Sequence, residues 1–293
     1  MTCLLCGSDH KDVLARVESF GYPLVYYQCG QCGLVFQSQE ESQAADPEFY
    51  AATYRKIYQA HEEPTPKDLW VQTQRSLHLI AELRKTGVCE IHNMLDIGAS
   101  AGVLLQAFKE VFGCQVTGVE PGEAYRAFAE HKGIRMFPSV DDLVESSPER
   151  FDLVSMSHVL EHLSDPVGML KLIREKLLSE TGLILLEVPN FYAHDSYELA
   201  HLACYTPHTL KEALRQAGYE VVHFERHGVP RSDLLTLYLT VLGRPNSTQS
   251  DPGSVRPERN VRLKRKLAML YRRLVQRAFP RGAWLSLPEE KGD

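Results

Sequence analysis

Between about residue 92 and residue 242, short apolar runs alternate with longer segments whose apolar residues recur every three or four positions. The short runs predict buried strands, and the periodic segments predict amphipathic helices such as Val103–Phe112 and Pro207–Ala217. This alternation is typical of a parallel sheet with crossover helices, so we predict an α/β fold with a seven-stranded sheet. The predicted strands are Asn93–Ile97, Gln115–Val119, Ile134–Phe137, Phe151–Met156, Gly182–Val188, Tyr219–Glu225 and Leu234–Leu242.

The segment before this sheet, residues 38–90, predicts two helices that Pro64 and Pro66 separate. Aromatic residues mark one face of the first helix, and aliphatic residues mark one face of the second. They are Phe49, Tyr50, Tyr54 and Tyr58 in the first helix and Leu69, Leu77, Ile80 and Leu83 in the second. Such stripes usually pack into a core, but their position next to the sheet also fits a lid over a binding site.

The end of the chain predicts a linker followed by a basic helix. Pro, Gly, Asn and Ser are frequent in Arg244–Pro257, and Val261–Phe279 has a helical period. Leucines share one face of this helix and basic residues lie largely elsewhere: Leu263, Leu267, Leu270 and Leu274, with Lys264, Lys266, Arg272, Arg273 and Arg277. Three interpretations are open, namely a packed surface helix, a docking surface for an anionic substrate, and a weak contact with a membrane surface.

The 293 residues carry a formal net charge of −6, which is distributed unevenly. Residues 255–293 hold eleven basic and four acidic residues, whereas residues 1–254 hold 21 basic and 34 acidic residues. The acidic body disfavours nucleic acid as a partner, because such binding needs a broad basic face. No apolar run approaches the ~20 residues of a membrane helix, and the start at Met1 lacks a signal region. We therefore predict a cytoplasmic protein without a transmembrane segment.

Four of the seven cysteines form two Cys-x-x-Cys pairs, Cys3 with Cys6 and Cys29 with Cys32, separated by 22 residues. Four thiolates are a common ligand set for a tetrahedral, structural Zn²⁺. We therefore predict an N-terminal zinc ribbon, with two disulfides or a redox-active pair as the alternative. Two short strands are predicted beside the pairs, Val25–Gln28 and Leu34–Phe36.

A turn of small residues follows the first predicted strand of the large sheet. Gly98, Ser100 and Gly102 let the backbone of this turn approach a ligand closely. Glu120 lies 24 positions after Asp96, at the end of the second strand, where a carboxylate can accept hydrogen bonds from both hydroxyls of a ribose. Asp96 would repel the pyrophosphate of a dinucleotide, but it suits a ligand with a positively charged amino group.

Five short segments extend this pattern in a specific order: Asp96–Gly102, Val119–Pro121, Phe151–Val154, His158–Leu163 and Glu187–Asn190. Together they resemble class I S-adenosylmethionine-dependent methyltransferases over residues 90–240. The whole chain, apart from its last ~40 residues, is similar to a bacterial subgroup with an N-terminal zinc-binding domain. This subgroup includes sugar C-methyltransferases and enzymes of glycan and natural-product gene clusters. The resemblance implies a Rossmann-like seven-stranded methyltransferase sheet that binds S-adenosylmethionine.

The resemblance also implies roles for residues around the cofactor. Asp96 and Gly98 are expected at its methionine end, Gly102 at the entry to the following helix, and Glu120 at the ribose. Ser100 replaces a glycine that many relatives have.

Three more residues belong to this predicted cofactor site. Ser139 takes the position where the family often has an aspartate for the adenine, and Asp141 is a substitute candidate. His158 is expected beside the sulfonium, facing the substrate cavity.

A methyl acceptor that carries a proton needs a base near the carboxyl ends of the fourth and fifth strands. The predicted catalytic residues are His201, His158, Glu161 and His162. His201 is preferred because that region supplies residues for proton abstraction in sugar C-methyltransferases and a pKa near ~6.5 suits a base. Glu161 and His162 have an alternative role in fixing their loop, and His194 is expected to be a solvated loop residue. No carboxylate triad for Mg²⁺ is evident, so we predict metal-independent catalysis.

These observations predict methyl transfer to a sugar, a nucleotide-sugar or a related small hydroxylated metabolite or glycan, with an anionic acceptor favoured. The alternatives are methylation of RNA or protein, or a zinc-ribbon nucleic-acid-binding protein without catalysis. The predicted organisation is a zinc ribbon over 1–37, a helical linker or lid over 38–90, an S-adenosylmethionine-binding domain over 91–243, and a linker with the basic helix over 244–293.

Overall fold

The computed structural model describes residues 2–38, 63–146, 149–246 and 255–288. The strands are β1 Lys11–Ser19, β2 Tyr22–Cys29, β3 Val35–Gln37, β4 Asn93–Ile97, β5 Gln115–Val119, β6 Arg135–Phe137, β7 Phe151–Ser157, β8 Leu178–Pro189, β9 Ala203–Cys204, β10 Tyr219–His227 and β11 Tyr238–Pro245. The α-helices are α1 Pro66–Arg84, α2 Val103–Phe112, α3 Glu123–His131, α4 Val140–Ser146, α5 Pro166–Leu172, α6 Pro207–Gln216, α7 Val261–Ala278 and α8 Pro280–Ala283.

The seven-stranded sheet has the strand order β10-β11-β8-β7-β4-β5-β6. Strands β6, β5, β4, β7 and β8 are parallel, and β11 runs antiparallel to both β8 and β10. The predicted α/β class and the seven-stranded sheet are therefore confirmed. The predicted start of the last strand at Leu234 is wrong, because the Ser232 hydroxyl accepts hydrogen bonds from the backbone of Leu234 and Leu235 and closes a turn there.

Both faces of this sheet are buried, because alternate residues of its strands point to opposite sides. Met94 and Leu153 pack on one side with α1, α2 and α3. Leu95 and Val154 pack on the other side with α4, α5 and α6. Parallel strands covered on both faces read as continuous apolar runs, which is why they are visible in the sequence.

Helix α1 begins at a capping box, in which Thr65 and Asp68 satisfy each other's backbone N–H groups. It buries Leu79, Ile80 and Leu83 next to α2, as the aliphatic stripe predicts in part. The assignment of Leu77 to the packed stripe is wrong, because this side chain is 54% exposed and Leu79 takes its place. The first predicted helix, with its aromatic stripe, lies outside the described residues.

A second, smaller sheet has the strand order β1-β2-β3-β9, and its paired strands are antiparallel. Its fourth strand, Ala203–Cys204, comes from the segment that follows β8 of the seven-stranded sheet. The Tyr26 hydroxyl of β2 donates to the carbonyl of Glu198 at 2.7 Å, and Gln37 Nε2 donates to the carbonyl of His201 at 2.8 Å. The small sheet therefore holds the segment that carries His201.

The predicted basic helix is present as α7, with its leucines exposed and two of its arginines buried. The side of α7 that packs on the protein carries Val261, Arg265 and Arg272 rather than the leucines, and the three interpretations of this helix stay predictions. The predicted division of the chain at residues 37, 90 and 243 stays a prediction. In the described ranges, none of the helices has the length and hydrophobicity needed to cross a membrane.

Candidate functional site

A cavity of about 630 Å³ opens at the carboxyl edge of the parallel strands, a size typical of small-molecule sites. The ends of β4, β5 and β7 form its floor, and Gln72 and Arg75 of α1 form part of its wall. In an open α/β sheet, ligands bind at this edge. The predicted site residues that line it are Asp96, Gly98, Ser100, Glu120, Ser139, Asp141, His158 and His162.

The turn after β4 brings the backbone close to the cavity. Gly98 has φ +79°, and a Cβ there would lie 2.3 Å from a methyl group of Val159, so only glycine fits. Ser100 also adopts a left-handed conformation, with φ +49°, which glycine adopts at lower cost. Gly102 is at the other end of the turn, where an added Cβ would lie 2.6 Å from Ile134. Gly102 thus allows the turn to pack closely against Ile134, and it does not line the cavity.

Glu120 fixes this turn from the end of β5. Its carboxylate is nearly fully buried and accepts hydrogen bonds from the backbone N–H of Ser100 at 2.9 Å and of Gly122 at 2.7 Å. A carboxylate accepts several hydrogen bonds at once. Glu120 therefore both organises the turn and presents a negative charge to the cavity.

Asp96 is a buried carboxylic acid at the floor of the cavity. The Ser155 hydroxyl donates to its Oδ1 at 2.6 Å. Burial, together with the nearby charge of Glu120, raises the pKa of Asp96 to about 7 even though the Ser155 hydrogen bond opposes the shift. A cationic group placed beside Asp96 would favour its ionised form.

His158 lies at the end of β7 between two buried carboxylates. Its Nδ1 is 3.3 Å from Glu161 Oε1, and its Nε2 is 3.1 Å from Glu187 Oε1. Burial and the charge of Arg75 lower the pKa of His158, but the two carboxylates outweigh them and raise it above its ordinary value. A φ of +56° at this non-glycine residue marks backbone strain of the kind found at functional sites.

Glu187, which is fully buried and does not line the cavity, extends this network. Arg75 Nε is 2.5 Å from Glu187 Oε1, and His227 Nε2 is 3.3 Å from Glu187 Oε2. Burial opposes ionisation, but Arg75, His158 and His227 hold the pKa of Glu187 well below its ordinary value. Glu187, Arg75 and His227 are not among the predicted site residues. A single carboxylate within the apolar run of β8 is a signal that points to Glu187, whereas only the fold identifies Arg75.

Glu161, His162 and His201 form a second cluster behind His158, with potential ligand atoms within 4.8 Å of one another. His162 Nδ1 lies 2.8 Å from the Ala200 carbonyl and His201 Nδ1 lies 3.3 Å from the Ser196 carbonyl. In the neutral form of each ring, Nδ1–H therefore donates to a backbone carbonyl, and the lone pair that can coordinate a metal ion is on Nε2. This donor set is able to hold a divalent cation, and metal-independent catalysis stays a prediction.

The surroundings in this second cluster favour an ionised Glu161 and a neutral His201. Burial opposes ionisation of Glu161, but the histidines around it lower its pKa to about 2. Burial, reinforced by His162, lowers the pKa of His201 to about 3. His201 is buried and is not part of the cavity lining, so its predicted role as the base stays a prediction. His194 is half-buried rather than solvated, and burial lowers its pKa to about 4.

Ser139 and Asp141 lie on the rim of the cavity at the start of α4. The Ser139 hydroxyl accepts a hydrogen bond from the backbone N–H of Asp142 at 3.1 Å and donates to its carboxylate. Ser139 therefore caps α4, which reduces its capacity to bind an adenine.

The four predicted metal ligands come together at one end of the small sheet. Cys3 Sγ lies 3.5 Å from Cys32 Sγ, and Cys6 Sγ lies 3.5 Å from Cys29 Sγ. All four sulfur atoms lie within 4.8 Å of one another, and the four residues are free thiols. The contacts join the two Cys-x-x-Cys pairs rather than the cysteines within each pair.

Known proteins match this chain over the same region. A family model described as a methyltransferase domain matches residues 49–224, more than half of the chain. A ubiquinone biosynthesis O-methyltransferase of Pseudomonas syringae pv. tomato is 34% identical over 109 residues, which are 33% of this chain and 47% of that protein. The enzyme of the same name from Pseudomonas aeruginosa is 30% identical over 128 residues, 40% of this chain and 54% of that protein. The chain thus spans about half the length of the curated relatives it matches.

A solved structure has a similar fold. The S-adenosylmethionine-dependent methyltransferase of Archaeoglobus fulgidus superposes with a TM-score of 0.50 at 19% identity, covering 68% of this chain and 99% of that one. The chain belongs to the methyltransferase-domain family, and its fold is similar to that of this S-adenosylmethionine-dependent methyltransferase. The alternative of a nucleic-acid-binding protein without catalysis is not favoured.

Proposed function

We propose that this methyltransferase transfers a methyl group from S-adenosylmethionine to a hydroxyl oxygen of a small acceptor, with His158 as the base. The observation that carries the proposal is the position of His158, which lines the cavity between Glu161 and Glu187. The names of the curated relatives, which are O-methyltransferases, favour oxygen over carbon as the acceptor atom. Sugars and nucleotide-sugars belong to this class of hydroxylated acceptors, but these relatives do not favour them.

The residues at the floor of the cavity fit the cofactor. Ionised Asp96 would hold the amino group of its methionine end, Glu120 would hold the ribose hydroxyls, and Gly98 leaves space that a Cβ would fill. Asp141 and Ser139 would lie on the adenine side. When bound, the cofactor supplies an electrophilic methyl group and its own leaving group, so the tasks of the protein are positioning and proton removal.

His158 would remove the proton from the acceptor hydroxyl as the oxygen attacks. In the neutral ring, one nitrogen carries a proton and donates it to a carboxylate. The other nitrogen turns from its carboxylate to the acceptor hydroxyl and takes the proton, and the charge of the imidazolium that forms is stabilised by Glu161 and Glu187. Arg75 balances the charge of Glu187, so that this carboxylate stays ionised in a buried place. Glu161, Glu187 and Arg75 are thus positioning residues in this proposal.

Cofactor affinity is expected to depend on pH through Asp96. The pKa of Asp96 in the free protein is about 7, and the amino group of the cofactor binds the ionised carboxylate. Below pH 7, binding must displace a proton, so affinity for S-adenosylhomocysteine should fall about tenfold per pH unit. Calorimetry between pH 5.5 and 8.5 measures this slope. Asp96→Asn should bind more weakly and without the slope, and an unchanged slope in this variant would exclude Asp96 as its source.

We also propose that the four cysteines hold one structural Zn²⁺. Sulfur atoms at the corners of a tetrahedron, each ~2.3 Å from Zn²⁺, are about 3.8 Å apart, which agrees with the contacts of 3.5 Å and the overall spread of 4.8 Å. All four ligand positions would be filled by protein, which is typical of a structural site. The metal would fix β2 and β3, and through Tyr26 and Gln37 the segment that carries His201.

Loss of this metal is expected to loosen both the small sheet and the segment around residue 203. Cys29→Ser should lose bound zinc, lower the melting temperature and increase amide exchange at β9. Cys89→Ser, at an exposed and isolated cysteine, is the matched control and should keep one zinc per chain. Elemental analysis and hydrogen exchange provide the two measurements. A purified wild-type protein without zinc, with four reactive thiols and unchanged stability, would refute the proposal.

The reaction itself is tested with labelled S-adenosylmethionine and four acceptor classes: phenolic hydroxyls, sugar or nucleotide-sugar hydroxyls, RNA and protein. Label in a small hydroxylated acceptor, with a methyl ether identified by mass spectrometry, supports the proposal. Label confined to RNA or protein, or a methyl group on carbon, overturns it.

A further inference from the structure

Helix α7 presents an apolar stripe to solvent, which we call the leucine face. It consists of Leu263, Leu267, Leu270, Tyr271 and Leu274, each 53–60% exposed. Successive turns of a helix place these positions on one side. Large apolar side chains that are contiguous and exposed mark a binding surface more often than isolated ones do.

Two buried arginines fix this orientation. Arg265 donates to the carbonyls of Phe191 and His194, and Arg272 donates to the carbonyl of Ala193 and to Asp195. Both side chains are less than 10% exposed and lie on the side of the helix opposite the leucine face. Rotation of α7 to bury its leucines would leave these guanidinium groups and the carbonyls of the loop without their partners, which is costly. The leucine face is therefore held outward.

Basic residues flank the leucine face, and one of them, Lys264, forms an ion pair with Glu258 at 2.9 Å. Lys264 lies along one edge, and Lys266, Arg273 and Arg277 lie along the other, all exposed. Helix α7 contains no acidic residue. Two copies of this face pressed together would place like charges opposite each other, which disfavours a second copy as the occupant. An apolar stripe between basic edges instead complements a surface that is both apolar and anionic.

We propose that the leucine face docks on an anionic lipid surface. A helix with an apolar face and Lys or Arg on its polar side lies in the plane of a membrane interface, with its leucines among the acyl chains and its cations near the head groups. Phe279, which directly follows α7, is also exposed and is an aromatic side chain of the kind that favours this interface.

Docking in this orientation would place the loop at residues 191–195, which contacts the opposite side of α7, about one helix diameter (~10 Å) from the lipid surface. The loop held by Arg265 and Arg272 follows β8 at the carboxyl edge of the sheet. His194 of this loop lies 5.8 Å from Tyr238, and the Tyr238 ring lies 5.2 Å from the ring of His158, measured between centroids. Such a position suits an acceptor that resides in the membrane. This extension rests on the proposed function, whereas vesicle binding by itself requires neither cofactor nor acceptor.

The test is co-sedimentation of the full chain with vesicles of pure phosphatidylcholine or of phosphatidylcholine with 30% (about one in three lipids) phosphatidylglycerol. We expect binding to the anionic vesicles that is at least tenfold stronger and that falls in high salt. The double variant Leu267→Glu with Leu270→Glu should lose at least tenfold in binding. Leu77→Glu, at a leucine of α1 with similar exposure, is the matched control and should bind as the wild type does.

Several outcomes would overturn the proposal. Absence of binding to anionic vesicles would show that the leucine face does not dock on lipid. The same conclusion would follow if Leu77→Glu lost as much vesicle binding as the double variant. A concentration-dependent dimer in light scattering that the double variant abolishes, without vesicle binding, would assign the face to a second copy. Because S-adenosylhomocysteine affinity is measured on the same variants without vesicles, failure of docking is distinguishable from failure of the cofactor site.

Discussion

The variant His158→Asn is expected to lower kcat by about 10²- to 10⁴-fold while S-adenosylhomocysteine binds with nearly unchanged affinity. The reason is that the ring of His158 is the proton acceptor in the proposed reaction and lies between Glu161 and Glu187. Asparagine is chosen because it tolerates the left-handed backbone at this position, where φ is +56°. Steady-state kinetics and calorimetry measure the two quantities.

A pH profile separates this role from a structural one. The neutral ring is the active form, so kcat should rise with pH through the pKa of His158, which the carboxylates raise above its ordinary value. Glu187→Gln removes one of these carboxylates and should move the midpoint to lower pH. His131→Asn, at an exposed histidine of α3, is the control and should leave both kcat and the midpoint unchanged. A wild-type rate for His158→Asn would contradict the proposal and return His201 as the leading candidate for the base.

The variant Glu120→Ala is expected to weaken binding of S-adenosylhomocysteine by about 30- to 300-fold. This loss corresponds to about 2–3.5 kcal/mol, which is close to the contribution of one hydrogen bond from a ribose hydroxyl to a charged carboxylate. The variant also removes the acceptor for the backbone N–H groups of Ser100 and Gly122. These two hydrogen bonds hold the turn after β4 in place. Calorimetry at pH 8, where Asp96 is ionised, isolates this effect from proton linkage.

Two further variants make the result specific. Glu120→Gln keeps the shape and one acceptor oxygen and should give an intermediate loss. Glu123→Ala removes an exposed carboxylate three residues away on α3 and should bind the ligand as the wild type does. Equal affinities for Glu120→Ala and the wild type would place the ribose elsewhere in the cavity.

The sequence is informative about the sheet because its signals are local. An apolar run such as Asn93–Ile97 is buried on both sides, and the small residues that follow it have few uses other than a tight turn. The prediction of a cavity beside Asp96 and Glu120 follows from the same pattern, since the carboxyl ends of parallel strands meet at one edge. The prediction of His158 as a site residue rests on the same local order of elements.

Contacts between segments that are distant along the chain leave no comparable local pattern in the sequence. Arg75 and Glu187 are far apart in sequence, and nothing in the local pattern of α1 distinguishes Arg75 from a solvated arginine. Their ion pair forms because α1 packs beside the sheet and brings the guanidinium to the buried end of β8. The pairing of β3 with Ala203–Cys204 is of the same kind, because a two-residue strand is too short to have a period.

The amino-acid sequence by itself determined the α/β class, the order of the cofactor segments, the four-cysteine set and the amphipathic character of α7. The tertiary structure alone decided which face of α7 is buried, which charges surround His158, and that His201 lies behind the cavity wall. The physical reason is that periodicity specifies which side chains share a face. Burial of that face depends on partners elsewhere in the chain, such as the carbonyls that hold Arg265 and Arg272.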